Sequence, residues 1–219
     1  MQLGLFTQRP TVDEVVTDVR AAAAAGFSSV WMPQIFGIDT LTALAVAARE
    51  VPGVEFGTAV IPTFPRHPMM LAAQARTVQQ VSGGRFTLGI GLSHQMVIEN
   101  MLGMSWEKPV RHLREYLDVL LPLVRGEAAD ATGETLSAHL ELDIPDSTPI
   151  PVLVAALGTQ MLNVTGRLAE GTGTWMTGPE TIRTHIAPTI NAAAAGAGRP
   201  APRIVCALPV CVTEDEAGA

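Results

Sequence analysis

Cationic side chains are few and scattered in this sequence. Fourteen Lys and Arg stand against 21 Asp and Glu, a net charge of −7, with Arg9, Arg66, Arg76 and Arg85 far apart along the chain. Nucleic-acid binding wants clustered Lys and Arg for the phosphates, so no nucleic-acid partner is expected. Long hydrophobic runs are also missing: none reaches the ~18 residues of a spanning helix. The start, Met1-Gln-Leu-Gly-Leu-Phe6, lacks the basic opening of a signal peptide. No membrane partner is therefore expected, and a cytoplasmic location is. Cysteine is scarce. Cys206 and Cys211 do not make a disulfide framework, and their odd spacing on one strand puts them on opposite faces. Both read as buried thiols.

Several kinds of catalytic machinery are absent too. None of the histidines pairs with Cys or carboxylates at metal-ligand spacing. His67 reads as a brace at a helix start, His112 and His139 as solvated, and His185 as lying on the sixth helix. Gly91-Leu-Ser93-His94-Gln lacks the second glycine of a nucleophile elbow. The first strand-to-helix turn, Thr7 to Thr11, carries no glycine-rich phosphate fingerprint, which counts against an open doubly wound sheet. An enzyme with this inventory has to borrow its reactive group from a cofactor.

What the chain does have is alternation. Hydrophobic residues make up 47% of 219 residues, and α/β barrels routinely run ~200–250 residues as one unit. Strands are expected at 3–7, 29–32, 56–61, 85–91, 151–155, 174–176 and 204–212. Helices fall between them. Thr11 with Glu14 forms a capping box, Gly26 ends the first helix, and Pro68 opens the third, where its missing N–H costs nothing. Residues 126–150, rich in Gly, Asp, Thr and Pro, look like an excursion holding a small hairpin. Thr213-Glu-Asp-Glu216 is a further capping box that announces a seventh helix. The expected fold is one domain over 1–219, a TIM-type (β/α)8 barrel lacking the last β/α unit. A fragment that leans on another chain to close its sheet is one account of that ending.

Active sites of parallel barrels gather at the C-terminal ends of the strands. Two such ends stand out. Ala155-Ala-Leu-Gly-Thr-Gln160 opens a helix, whose free N–H groups and partial positive charge suit a phosphate. An ordinary tight turn with Thr159 as cap is the plainer account. Gly89-Ile-Gly91-Leu-Ser93-His94 ends the fourth strand, and His94, just past it, has a pKa suited to proton transfer. A histidine in such a loop is more often a surface hydrogen-bonder, which is the plainer account. Trp31 and Trp175 read as barrel core that can also edge a flat ring.

In sequence, Gly57-Thr-Ala-Val-Ile-Pro-Thr-Phe-Pro-Arg-His-Pro68, Ser82-Gly-Gly-Arg-Phe-Thr-Leu-Gly-Ile-Gly91, Val154-Ala-Ala-Leu-Gly158, Gly166-Arg-Leu-Ala-Glu-Gly171 and Trp175-Met-Thr-Gly-Pro179 resemble the luciferase-like monooxygenase superfamily. Within it the chain is most similar to the coenzyme F420-dependent oxidoreductases. The resemblance implies an eight-stranded barrel and a non-prolyl cis peptide at Ala59–Val60, in a bulge behind the cofactor ring. It implies cofactor contacts at Thr58, Ala59, Val60, Gly91 and Ser93. The phosphate falls to the backbone of Gly158, Thr159 and Gln160. Pro33-Gln34 and Ser93-His94 replace the Asp-His pair and the acidic residue of the sugar-phosphate dehydrogenase branch, and cations for a substrate phosphate are not evident. The expected activity is hydride transfer between F420 and a small organic substrate. His94 would exchange a proton and Gln34 would hydrogen-bond ring or substrate. An FMN-dependent monooxygenase and a non-catalytic flavin-binding relative are the alternatives, and a homodimer is the expected state.

Overall fold

The computed structural model describes residues 2–214. The chain runs β1 (Gly4–Phe6), α1 (Val12–Ala24), β2 (Ser29–Met32), α2 (Thr40–Glu50), β3 (Glu55–Thr58), β4 (Ile61–Pro62), α3 (Pro68–Ser82) and β5 (Phe86–Gly91). It continues through a π-helical turn (Val97–Met101), α4 (Pro109–Arg125), β6 (Ala129–Thr132), β7 (Ser137–Leu140) and β8 (Val152–Ala155). Then come α5 (Thr159–Leu168), β9 (Gly171–Trp175), α6 (Pro179–Thr181), a second π-helical turn (Ile182–Ile186), α7 (Ala187–Gly196) and β10 (Arg203–Ala207). Parallel pairing follows the order β1-β2-β3-β5-β8-β9-β10, and β4 pairs with β5. The result is a nearly closed barrel of seven parallel strands within a shell of helices. Among the described residues no ladder joins β10 to β1.

Local chemistry explains most of the element ends. Thr11 caps α1, its hydroxyl accepting from the Glu14 N–H, and Gly26 just beyond the helix takes φ +82°. Asp39 caps α2 through the Thr42 N–H at 2.8 Å and also pairs with Arg66. Burial opposes the charge on Asp39, yet the Thr42 amide and hydroxyl and the Arg66 guanidinium together hold its carboxyl below the ordinary range. Arg85 donates to the carbonyls of Ala48, Val51 and Val54, which closes the far end of α2. The helices turn apolar faces onto the sheet: Val15, Val16 and Val19 of α1, Leu41 and Leu44 of α2, and Leu113, Leu117 and Leu120 of α4 are buried. At ~25 cal/mol per Å² of apolar surface removed from water, such faces supply most of the drive for helices to pack on a sheet. The excursion holds the expected hairpin, β6 antiparallel to β7.

The base of the barrel has its own plug. Trp31 lies between Gly4 and Gly57: a Cβ at Gly57 would collide with the indole, and one at Gly4 with Ser29 Oγ, beside the indole. Its Nε1 donates to Ser29 Oγ at 2.9 Å. The Arg203 guanidinium stands 5.3 Å from the Trp31 ring and meets Glu55 through two hydrogen bonds of 2.6 and 2.9 Å. Glu55 also accepts from Thr87 Oγ1. The last strand is thereby tied across the barrel to β3.

Four expectations need correction. The third strand does not run unbroken over 56–61, because a bulge at Ala59–Val60 divides it into β3 and β4. The seventh strand ends at Ala207, short of Val212. Neither cysteine is buried: Cys206 sits on β10, whose far edge no described element covers, and Cys211 lies beyond the strand. His112 is not solvated, as detailed below. The helix announced at Thr213–Glu216 falls mostly outside the described residues.

Candidate active site

The C-terminal ends of the strands form the barrel mouth, and the bulge between β3 and β4 is its most built feature. The Ala59–Val60 bond is cis, as the resemblance implies. Thr58 anchors the bulge, its hydroxyl accepting from Gly89 N–H at 2.8 Å and donating to Gly89 O at 2.7 Å. Ala59 N–H donates to Met32 O, and Gln34 N–H to Val60 O. Two glycines on β5 make the approach possible. A Cβ at Gly89 would overlap the Thr58 carbonyl oxygen, and one at Gly91 would come 2.7 Å from Val60 Cγ2.

Around this bulge the other site residues take their places. Ser93 turns the chain away from β5 with φ +68°. His94 follows, exposed; its carbonyl accepts from Val97 and Ile98, while its imidazole bonds no other described residue. Gln34 is differently occupied. Its side-chain oxygen accepts from Thr40 N–H at 2.9 Å, and its amide nitrogen donates to Ile35 O. Both ends of that carboxamide thus brace the loop into α2. Across the mouth Trp175 stacks at a tilt on Phe6, centroids 4.8 Å apart. Trp175 is 53% exposed, a rim residue, whereas Trp31 is core.

The turn after β8 supplies the other half. Gly158, and not Thr159, is the N-cap of α5, and among the described residues no side chain caps the helix. Gly158 has φ −74° and ψ 148°, a conformation open to any residue. No described residue lies within 4 Å of where its Cβ would stand. Neither strain nor crowding calls for glycine there, so the position leaves a cradle that a ligand can approach closely. The Thr159 and Gln160 N–H groups face out of the uncapped first turn, where the helix dipole favours an anion.

A second feature was not legible in the sequence. A cleft of about 540 Å³ opens beside the mouth between Thr63, Phe64, Lys108, His112, Tyr116 and Glu134. Phe64 is sandwiched between Trp106 and His112, at 4.9 and 4.1 Å. His112 Nε2 lies 3.1 Å from Thr63 Oγ1, and burial holds the imidazole below its ordinary pKa. Tyr116 donates to Arg66 O, and burial pushes its phenol up. The cations here are matched: Arg66 meets Asp39, and Lys108 and Arg111 both meet Glu134. A spacing of three residues from Glu115 on an amphipathic helix gives no hint that His112 faces inward. The cleft therefore reads as the packed foot of the loop 102–108. The mouth, with its uncapped helix and unengaged histidine, is the better candidate site.

The sequence profile of the luciferase-like monooxygenase family matches residues 2–219. The chain belongs to the luciferase-like monooxygenase family. Among its relatives is a Mycobacterium tuberculosis protein whose name places it with the coenzyme F420-dependent oxidoreductases. It is 30% identical over 189 residues, 78% of this chain and 53% of that protein. The chain spans about half the length of the first curated relatives it matches. Luciferase-like folds with known structures agree with the barrel. The F420-dependent tetrahydromethanopterin reductase of Methanopyrus kandleri superposes with a TM-score of 0.82 at 20% identity, covering 94% of this chain and 65% of that one. The oxygenating constituent of 3,6-diketocamphane monooxygenase from Pseudomonas putida, solved with FMN, gives 0.78 at 17% identity, covering 94% and 66%.

Proposed function

We propose that this luciferase-like barrel is an oxidoreductase that transfers a hydride between the deazaflavin coenzyme F420 and a small organic substrate. One observation carries the reading. The open cradle and uncapped N–H groups at Gly158, Thr159 and Gln160 share a barrel mouth with the Ala59–Val60 bulge. Their sharing one strand-end face supports reading the first as a phosphate seat and the second as a ring support. The relative named for F420 use supports the same cofactor.

Each residue has a part in this reading. The Gly158–Gln160 backbone holds the phosphate, and the bulge of Thr58, Ala59 and Val60, seated on Gly91, backs the ring. Ser93 turns the chain so that His94 lies at the rim. The unengaged His94 imidazole takes up or returns the substrate proton. Gln34 acts from behind, fixing the bulge through its N–H and the α2 loop through its side chain. The bound deazaflavin supplies the hydride-carrying carbon. A homodimer and a cytoplasmic location belong to the proposal as well, as does one domain over 1–219.

Equilibrium titration with oxidised F420, and separately with FMN, tests it. Saturable F420 binding with no oxygen uptake is the expected outcome. Failure to bind either cofactor rejects the pocket. Reduced-FMN binding with oxygen consumption would favour the second reading, a monooxygenase, for which the FMN-bound neighbour is the supporting observation.

A further inference from the structure

Resting on that reading of the phosphate seat, we propose that His185 is its positioning residue, the side chain that sets the direction of the Gly158 N–H. His185 lies within the π-helical turn Ile182–Ile186, between α6 and α7. Such turns insert one extra residue into a helix and recur at functional sites. Its Nε2 stands 2.8 Å from Leu157 O, the carbonyl of the residue before the cradle. A carbonyl only accepts, so Nε2 carries the proton and donates. No other described residue bonds Leu157 O.

The consequence follows from peptide geometry. In a planar trans peptide the C=O of Leu157 and the N–H of Gly158 point in opposite directions, so fixing one fixes the other. Glycine at 158 removes the steric penalty that would otherwise hold this plane, since backbone without Cβ turns freely. The cradle is open, with no described residue within 4 Å of the missing Cβ. The glycine that lets a phosphate approach thus leaves its own amide unheld, and His185 reaches across from the next helix to hold it. The neighbouring Arg183 is engaged with Glu180 and makes no claim on the imidazole. The His185 ring is half-buried, and its bond joins two surface segments. Its loss should spare the fold and loosen the seat.

The test compares wild type, His185→Ala and His185→Gln, the last keeping an N–H donor on a side chain of similar reach. Each is titrated with F420 and with the same deazaflavin lacking its phosphate. His185→Ala should lose about 5- to 10-fold of the preference for the phosphorylated ligand, the worth of one ordinary hydrogen bond. Affinity for the phosphate-free ligand and the thermal midpoint should stay put, and His185→Gln should recover most of the preference. In ligand-free protein the Gly158 amide resonance should move in His185→Ala and return in His185→Gln. Equal losses for both ligands, or none, overturn the role of His185 while leaving the pocket intact. A wild type that binds neither ligand refutes the pocket, and the proposal falls with it.

Discussion

Two glycines at the barrel mouth serve different ends, and exchanging each for alanine separates them. Gly89 is buried on β5, where a Cβ would overlap the Thr58 carbonyl oxygen, a backbone atom that cannot step aside. Relieving that overlap means moving β3 from β5 and losing both bonds of the Thr58 hydroxyl to Gly89. Overpacking costs roughly 1–3 kcal/mol and each lost bond about 1 kcal/mol. Gly89→Ala should therefore destabilise by about 3–5 kcal/mol. With a urea slope of about 2.5 kcal/mol per M the midpoint should fall by about 1–2 M. Gly158 is the opposite case: its φ and ψ suit any residue and its surroundings are empty. Alanine is a poorer N-cap than glycine by about 0.5–1 kcal/mol, but it reduces the unfolded chain's freedom by about 0.4–1 kcal/mol. The two effects offset to within about 0.5 kcal/mol. Urea melts of both variants, followed by F420 titration of Gly158→Ala, read out the contrast. Binding should weaken about 10-fold or more while the midpoint holds, because the methyl would stand where the proposed seat receives phosphate oxygens. If Gly158→Ala melts as early as Gly89→Ala, or binds cofactor like wild type, Gly158 is a packing residue and the seat is misplaced.

Other outcomes follow from the same geometry. Burial holds the His112 pKa below its ordinary value of 6.5, so the unfolded chain takes up its proton first as pH falls. Stability should be fully present above about pH 6.5 and decline below it toward the lowered folded value; a urea midpoint for His112→Gln that falls as steeply as wild type from about pH 7 to about pH 5 would reject this. Asp39→Ala removes the α2 cap and frees Arg66, which should cost about 1–2 kcal/mol; a loss under about 0.5 kcal/mol in urea melts would show the cap to be idle. Arg203 and Glu55 tie β10 to β3, and a double-mutant cycle with Arg203→Met and Glu55→Gln should return a coupling of about 1–2 kcal/mol, since the pair is bidentate but partly exposed. A coupling near zero would mean that the base is held by Trp31 packing alone.

The architecture was legible because barrel strands and helices announce themselves locally. Thr11, Asp39 and Pro68 mark helix starts through their own backbone chemistry, and runs such as Val152–Ala155 are apolar throughout because both faces of a parallel strand are covered. The turn proposed to seat the phosphate was visible for the same reason: Gly158 and Thr159 sit where a strand gives way to a helix. Which of Gly158 and Thr159 carries the cap is not legible locally, because a threonine in first position can either cap or enter the helix. The division of β3 from β4 was readable only through family resemblance. Nothing in Thr58-Ala-Val-Ile61 departs from strand propensity.

Taken alone, the sequence determined the element order, the parallel barrel and the face on which chemistry can gather. These depend on hydrophobic period, capping residues and turn residues, all of them interactions between near neighbours in the chain. The tertiary structure decided which polar groups are already engaged. It assigned Gln34 to bracing a loop, left the His94 imidazole without a partner among the described residues, drew His112 under Phe64, and brought His185 to the carbonyl of Leu157, 28 positions away. Hydrogen bonds between distant residues depend on how helices pack around the sheet, and no local pattern encodes that.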